Sequence, residues 1–190
     1  KGGFDLGDFR EQIKQMQNMG GMANLLPAHR DLANASHRKE VAAFWGVDSV
    51  PAQPGKTAVD MFEAVRKGEI RAIWIACTNP AQSMPDLNTV HQALRSAELV
   101  VVQEACERTD TTAFADVLLP ASSWGEKHGT VTNSERRITR LFPAVPPPGE
   151  ARHDWDIVVD FARRLEGRLP RRSSQPLFPY QTPEEIFNEH

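Results

Sequence analysis

Apolar residues concentrate in three short runs in the middle of the chain. They are Ala72-Ile73-Trp74-Ile75-Ala76-Cys77, Leu99-Val100-Val101-Val102, and Val117-Leu118-Leu119-Pro120 behind Asp116. Each run is rich in Ile, Val or Leu and is closed by polar residues. Between the first two lies a segment of helical period, Leu87 to Ala97. Buried runs separated by a helical pattern predict parallel strands joined by a crossover helix. Sheets of this kind bind ligands just beyond the carboxyl ends of their strands. Those ends carry Asn79, Gln103, Glu104 and the residues after Pro120.

The flanking pattern supplies the other elements. Residues 4 to 19 read as an amphipathic helix with Phe9, Ile13 and Met16 on one face, ended by Gly20-Gly21. Ser36 is the expected cap of a helix from His37 to Trp45. Residues 46 to 55 form an extended connector, and Thr57 caps a helix over 58 to 66. After the third strand, 121 to 128 reads as a turn or short helix. Residues 130 to 141 read as extended or irregular, carrying Arg136, Arg137 and Arg140. A polyproline spacer follows at 143 to 149. Asp154 then caps a helix from Trp155 to Glu166 whose expected face is Ile157, Val158, Phe161 and Leu165. Residues 167 to 181 are linker-like. Thr182, Pro183 and Glu185 open a last helix that stops after one or two turns, as in a piece of a larger protein.

The expected fold is therefore α/β. A Rossmann-like, mostly parallel sheet is flanked by helices, with an N-terminal helix and a C-terminal helical linker segment added. The expected division is 1–21 for the N-terminal helix, 22–166 for the α/β domain and 167–190 for the linker and truncated helix.

Composition changes this picture little. With 190 residues, 40% apolar and 25% charged, the chain has the make-up of an ordinary globular domain. A net charge of −3 gives no reason to expect a nucleic-acid partner. No apolar stretch approaches the roughly 20 residues of a membrane span. The two cysteines, Cys77 and Cys106, are too few for a four-thiolate metal or iron–sulfur site. At a strand end, Cys77 reads as a small core hydrophobe.

The candidate residues each carry two readings. Asn79, held extended by Pro80, suits a tight turn, or offers a ligand one acceptor and two donors. Glu104 is an exposed strand end or an acceptor for ribose hydroxyls. Lys127, between Gly125 and Gly129, is a solvated loop charge or a phosphate ligand. Asp154 is a helix cap or a base-reading carboxylate. No Gly-x-Gly-x-x-Gly follows any strand, so an NAD-type phosphate loop is not supported.

Several segments resemble a known family. Ala72-Ile73-Trp74, Thr78-Asn79-Pro80-Ala81, Thr109-Asp110-Thr111-Thr112 and the run from Ala115 to Pro120 are similar to the molybdopterin guanine dinucleotide oxidoreductases of the DMSO reductase type. So are Trp124-Gly125-Glu126-Lys127, the run from Gly129 to Arg137, Pro148-Gly149-Glu150-Ala151-Arg152 and Asp154-Trp155. Within that family the chain looks most like assimilatory nitrate reductase catalytic subunits, from about Gly21 to the last residue. The first 22 residues instead resemble the entry to the methionine-rich domain of the signal recognition particle protein. That alternative implies an RNA- or signal-peptide-binding module.

The oxidoreductase resemblance implies a cytoplasmic enzyme that reduces nitrate to nitrite, with formate dehydrogenases and periplasmic nitrate reductases sharing the fold. It implies a bis-molybdopterin guanine dinucleotide cofactor carrying molybdenum, and a 4Fe-4S cluster in the full-length protein that this chain does not ligate. The implied partners are the remaining domains of the reductase and an electron donor. The implied cofactor-binding residues are Asn79, Gln103, Glu104, Lys127 and Asp154, with no metal ligand and no catalytic residue in this chain. The isolated chain is accordingly expected to be inactive.

Overall fold

A computed structural model describes residues 25–26, 30–168, 176 and 178–189. The helix expected over 4 to 19 lies outside the described residues, as does most of the 167 to 181 linker. The rest divides after Met61 into two separately packed units.

In the first unit, β1 (Leu25–Leu26) pairs antiparallel with β2 (Arg30–Asp31). Helix α1 (Ala35–Trp45) follows. Its cap is Asn34, whose Oδ1 accepts from the backbone N–H of Ser36 at 2.9 Å and of His37 at 3.3 Å. Ser36, expected as the cap, lies inside the helix because the Asn34 side chain already meets those N–H groups. Gly46, at φ 64°, closes the helix in the left-handed region.

Helix α2 (Ala58–Arg66) opens where Thr57 Oγ1 accepts from the Asp60 N–H at 3.2 Å. It leads into β3 (Ala72–Ala76). A short helix α3 (Pro80–Ser83) begins directly after Asn79, with Pro80 at its first position. Helix α4 (Leu87–Ser96) is capped by Asp86, whose carboxylate accepts from the Thr89 N–H at 3.3 Å. Then come β4 (Leu99–Glu104) and β5 (Val117–Pro120). The three apolar runs thus form one parallel sheet in the order β3-β4-β5. Register runs from Ala72 opposite Leu99 to Ala76 opposite Gln103, and from Val101 opposite Val117 to Glu104 opposite Pro120.

Side chains alternate across a strand, so each strand presents two faces. On one face Ile73, Ile75, Val100 and Val102 are buried, as are Phe62, Ala64 and Val65 of α2 and Val90, Ala93 and Leu94 of α4. Burying each such aliphatic side chain contributes about 1.5–3 kcal/mol relative to leaving it in water. On the other face lie Trp74, Leu99, Val101 and, at the end of the strand, Gln103.

β6 (Gly129–Thr132) and β7 (Ile138–Leu141) form an antiparallel hairpin. Its turn is held by Asn133 Oδ1, which accepts from the N–H groups of Glu135 and Arg137, both at 3.0 Å. An Asx turn of this kind gives the hairpin to a segment that periodicity alone leaves extended or irregular.

Helix α5 (Asp154–Glu166) lies over the second sheet face, with Phe161 meeting Trp74 edge-on at 4.9 Å between ring centroids. Ile157 and Val159 are its buried residues, not Val158. Phe161 keeps 49% exposure because it borders an apolar cleft of about 690 Å³, lined also by Trp74, Leu99, Val101, Val117 and Leu119. Helix α6 (Pro183–Glu189) opens on Thr182, whose Oγ1 accepts from the Glu185 N–H at 3.3 Å. No helix among the described residues is long and apolar enough to cross a membrane.

One short pairing decides where α5 starts. The Arg152 N–H donates to Pro120 O at 3.0 Å, and the Ser122 N–H donates to Arg152 O at 2.8 Å. This parallel bridge between Ala121 and Arg152 adds one residue's width to the sheet beside β5. It delivers His153 and Asp154 to the carboxyl edge.

Candidate functional site at the carboxyl edge of the sheet

The edge is built from residues that immediately follow strands. Cys77 is the first residue after β3. Its N–H extends the ladder to Gln103 O at 3.1 Å, and its φ of 58° then turns the chain sharply. That turn exposes Cys77 instead of burying it in the core, which corrects the expectation from its place behind an apolar run. The thiol Sγ lies 3.6 Å from Asp154 Oδ1. Although the residue is exposed, partial desolvation of the thiol at this edge pushes its pKa up, and the neighbouring Asp154 charge adds to this.

Asp154 is the first residue of α5, and His153 is the N-cap residue without a side-chain capping bond. The Asp154 carboxylate is therefore not the helix cap that its position suggested. It turns inward instead. Oδ1 accepts from Gln103 Nε2 at 2.8 Å, and Oδ2 accepts from Lys127 Nζ at 2.8 Å. Burial opposes ionisation of Asp154, but the hydrogen bonds from Lys127 and Gln103 outweigh it and hold the carboxyl below its ordinary range. Its place in the first turn of a helix also favours negative charge.

Gln103 shares a strand face with Leu99 and Val101, beneath the start of α5, and is only 2% exposed. Because Nε2 is committed to Asp154, Oε1 must point away, and it has no partner. Ser122 Oγ, His153 Nδ1 and Trp155 Nε1 are likewise buried without a hydrogen-bond partner. Buried polar atoms are almost always satisfied by protein, water or ligand. Gln103 Oε1 and Ser122 Oγ lie at or past the ends of β4 and β5, and His153 Nδ1 and Trp155 Nε1 lie at the start of α5; Trp74 Nε1, within β3, is the fifth such atom among the described residues. The His153 and His128 rings stack with centroids 6.4 Å apart. Burial lowers the His153 pKa, with the charges of His128 and Lys127 adding to it. Sequence reasoning gives Ser122 no role and, finding no partner at metal spacing, reads His153 as an ordinary surface histidine. The available signal was position: Ser122 follows its strand as Gln103 ends its own.

Gln103, Lys127 and Asp154 are thus brought together on one carboxylate. Asn79 is engaged elsewhere. Its Oδ1 accepts from the Thr111 N–H at 3.0 Å and Thr111 Oγ1 at 2.7 Å. Its Nδ2 donates to Gln82 Oε1 at 3.0 Å and Asp110 Oδ2 at 3.1 Å. Glu104 Oε1 accepts from the N–H groups of Ala105 at 2.7 Å and Cys106 at 3.3 Å, folding the carboxylate over its own turn. Among the described residues no group of His, Cys, Asp and Glu could hold a metal ion.

Comparison with known proteins gives this edge a context. The chain is 43% identical over 174 residues to a nitrate reductase of Klebsiella oxytoca, covering 92% of this chain and 19% of that protein. It is 40% identical over 173 residues to an assimilatory nitrate reductase catalytic subunit of Bacillus subtilis, covering 90% of this chain and 23% of that protein. The chain therefore spans about a fifth of the curated relatives it matches. Among solved structures, acetylene hydratase from Pelobacter acetylenicus shares the fold at a TM-score of 0.55 and 21% identity, over 69% of this chain and 18% of that one. The family model for molybdopterin oxidoreductases matches residues 5–164, which takes in most of the first 22 residues. With a match of that extent, the chain belongs to the molybdopterin oxidoreductase family.

Proposed function

We propose that this chain is part of a molybdenum nitrate reductase and supplies part of a bis-molybdopterin guanine dinucleotide site. Family membership implies a molybdenum–pterin cofactor; the guanine form and the substrate are our inference. The observation that carries it is the Asp154 carboxylate at the sheet edge, held by Lys127 and by Gln103, whose own Oε1 is buried without a partner. These residues fit a nucleotide tail. Guanine carries an N1–H and an N2–H₂ on one edge, and a carboxylate accepts both in a bidentate, charge-assisted pair. Gln103 Oε1 offers a further buried acceptor, and Lys127 is the cation within reach of phosphate oxygens. Glu104 suits ribose hydroxyls. Asn79 contributes by fixing the turn that follows β3.

When bound, the molybdenum centre supplies the oxygen-atom transfer that converts nitrate to nitrite, while the protein positions it. The residues described here bind and orient; none is placed at the reacting atoms. In the complete protein, we propose, the other domains carry a 4Fe-4S cluster and meet an electron donor in the cytoplasm. Similarity to nitrate reductases over most of the chain favours nitrate as the substrate.

The test uses the complete enzyme. Asp154→Asn is expected to lower the guanine nucleotide recovered per protein by more than Asp156→Asn does. Asp156 is the apt control, since it pairs with Arg152 at 2.8 Å on the helix surface. Equal cofactor content in the two variants would overturn the assignment.

A further inference from the structure

The two faces of the parallel sheet are not covered alike. Ile73, Ile75, Val100 and Val102, on the first face, are all at 6% exposure or less. On the second face Leu99 and Val117, at the amino ends of β4 and β5, keep 41% each. Three strands make a face about 14 Å wide, whereas a helix with its side chains is about 10 Å across. Helix α5 therefore spans the second face only in part, and the apolar cleft of about 690 Å³ lies where that cover stops. The arginines on its rim are already paired: Asp160 accepts from Arg152 at 2.9 Å and from Arg164 at 3.0 Å. The cleft suits an apolar occupant rather than an anion.

An exposed strip of α5 adjoins the cleft. Val158, Phe161 and Leu165 stand at i, i+3 and i+7, which puts them on one side of the helix. They are 46%, 49% and 41% exposed. Helical period marks these same residues for burial, and this chain does not bury them. Phe161 belongs to both strip and cleft, so the two form one apolar surface. Contiguous exposed apolar surface marks a contact site, and a stripe of this spacing is the seam by which helices pack.

We propose that this surface seats an amphipathic helix from another part of the same polypeptide in the complete reductase, laid beside α5 over the amino ends of β4 and β5. This rests on the chain being part of a larger enzyme and is independent of the guanine assignment. The relative that is 43% identical to 92% of this chain matches it over only 19% of its own length. The greater part of such a polypeptide is thus available to cover the surface. A segment tethered in the same chain meets it at an effective concentration on the order of millimolar. A second copy of the chain has no such tether. The strip on α5 supplies one side of a helix–helix seam, with axes expected about 8–10 Å apart. The cleft receives the occupant's large apolar side chains.

The test compares the 190-residue chain with the complete enzyme. Val158→Cys and Leu165→Cys are made singly in each, and thiol labelling at the substituted position is followed by peptide mass spectrometry, apart from that of Cys77 and Cys106. Val158→Cys changes side-chain size little, which guards against a variant that merely unfolds. In the 190-residue chain both positions are expected to label fast, at a rate independent of protein concentration. In the complete enzyme labelling is expected to slow by about tenfold or more, since a buried position reacts only through local opening. A photoreactive benzophenone side chain placed at Leu165 of the complete enzyme then identifies the occupant. Cross-links are expected to reach a peptide outside the 190-residue segment whose apolar residues recur at helical period. Equal labelling in the two proteins overturns the proposal, because the surface is then exposed in the complete enzyme as well. Labelling that slows in the 190-residue chain as its concentration rises points to a second copy and also overturns it. Cross-links confined to the 190-residue segment do the same. Should the natural polypeptide prove no longer than this chain, the larger-enzyme reading fails and takes the proposal with it. Guanine content enters none of these readouts, so failure of that assignment leaves the result standing.

Discussion

Two corners of the same sheet edge, one at Asn79 and one at Asp154, use similar side chains to opposite ends. At the first corner every hydrogen-bonding position of the Asn79 amide is matched inside the protein: two donors on Oδ1, two acceptors for Nδ2. Thr111, its main partner, is fully buried, and its Oγ1 also accepts from the Ala81 N–H at 3.1 Å. Nothing there is left over for a ligand. At the second corner the arrangement is deliberately incomplete. Gln103 gives its amide N–H to Asp154 and keeps an orphaned carbonyl, while Ser122, just past β5, and His153, beside Asp154 in the sequence, hold unmatched atoms. A saturated network fixes backbone; an unsaturated buried one implies a missing partner. Of two side-chain amides that look equally suited to binding, one has every position matched within the protein and the other keeps an unmatched carbonyl; we propose that the first is a brace and the second a receptor.

The contrast can be broken most forcefully at the brace. Asn79→Ala would leave the Thr111 N–H and hydroxyl buried without acceptors, and should cost about 3 kcal/mol of stability, since each stranded buried group costs about 1–3 kcal/mol. Urea unfolding of the chain measures it, and a loss under about 1 kcal/mol would mean that the Asn79 network is not structural.

The receptor corner should respond the other way. Gln103→Leu removes an orphaned acceptor together with the donor to Asp154, so stability should change by less than about 1 kcal/mol. In the complete enzyme the same variant should lose guanine cofactor. A Gln103→Leu variant as unstable as Asn79→Ala, with cofactor content intact, would erase the distinction between the corners.

The smallest expected effect is on pH dependence. Asp154 and His153 both have folded-state pKa values below their ordinary ones. Depressed values contribute stability at high pH that is lost on acidification. The loss begins as pH falls through the ordinary histidine value of 6.5 and continues through the ordinary aspartate value of 3.8. His153→Gln should therefore flatten the dependence of melting temperature on pH between about 7 and 5. An unaltered slope would show that His153 titrates as a solvated histidine.

Much of the fold was legible along the chain. The three strands, the crossover helix and the caps at Thr57 and Thr182 follow from hydrophobic period and capping chemistry, which are local. The errors were also informative. Cys77 looked like a core residue because it ends an apolar run, yet a left-handed turn takes it out of the sheet. Asp154 looked like a cap because it precedes a helical pattern, yet the helix begins on it. Helical period puts Val158, three residues before Phe161, on the expected face, yet α5 buries its neighbour Val159. Ser122 gave no signal and His153 read as a surface histidine, because a lone serine or histidine carries meaning only when its surroundings exclude water.

What the sequence determined by itself was the three central strands, the helices that flank them and the expectation that strand ends carry the chemistry. Periodicity and turn residues act over a few positions, so they can be read in one dimension. What only the tertiary structure decided was which polar residues share a partner. Gln103 and Asp154 are 51 positions apart, and Lys127 is 27 positions from Asp154. They meet because Arg152 pairs with the end of β5 and sets Asp154 down over the end of β4. Hydrogen bonds act over about 3 Å, and no spacing along the chain encodes a distance created by the register of a sheet.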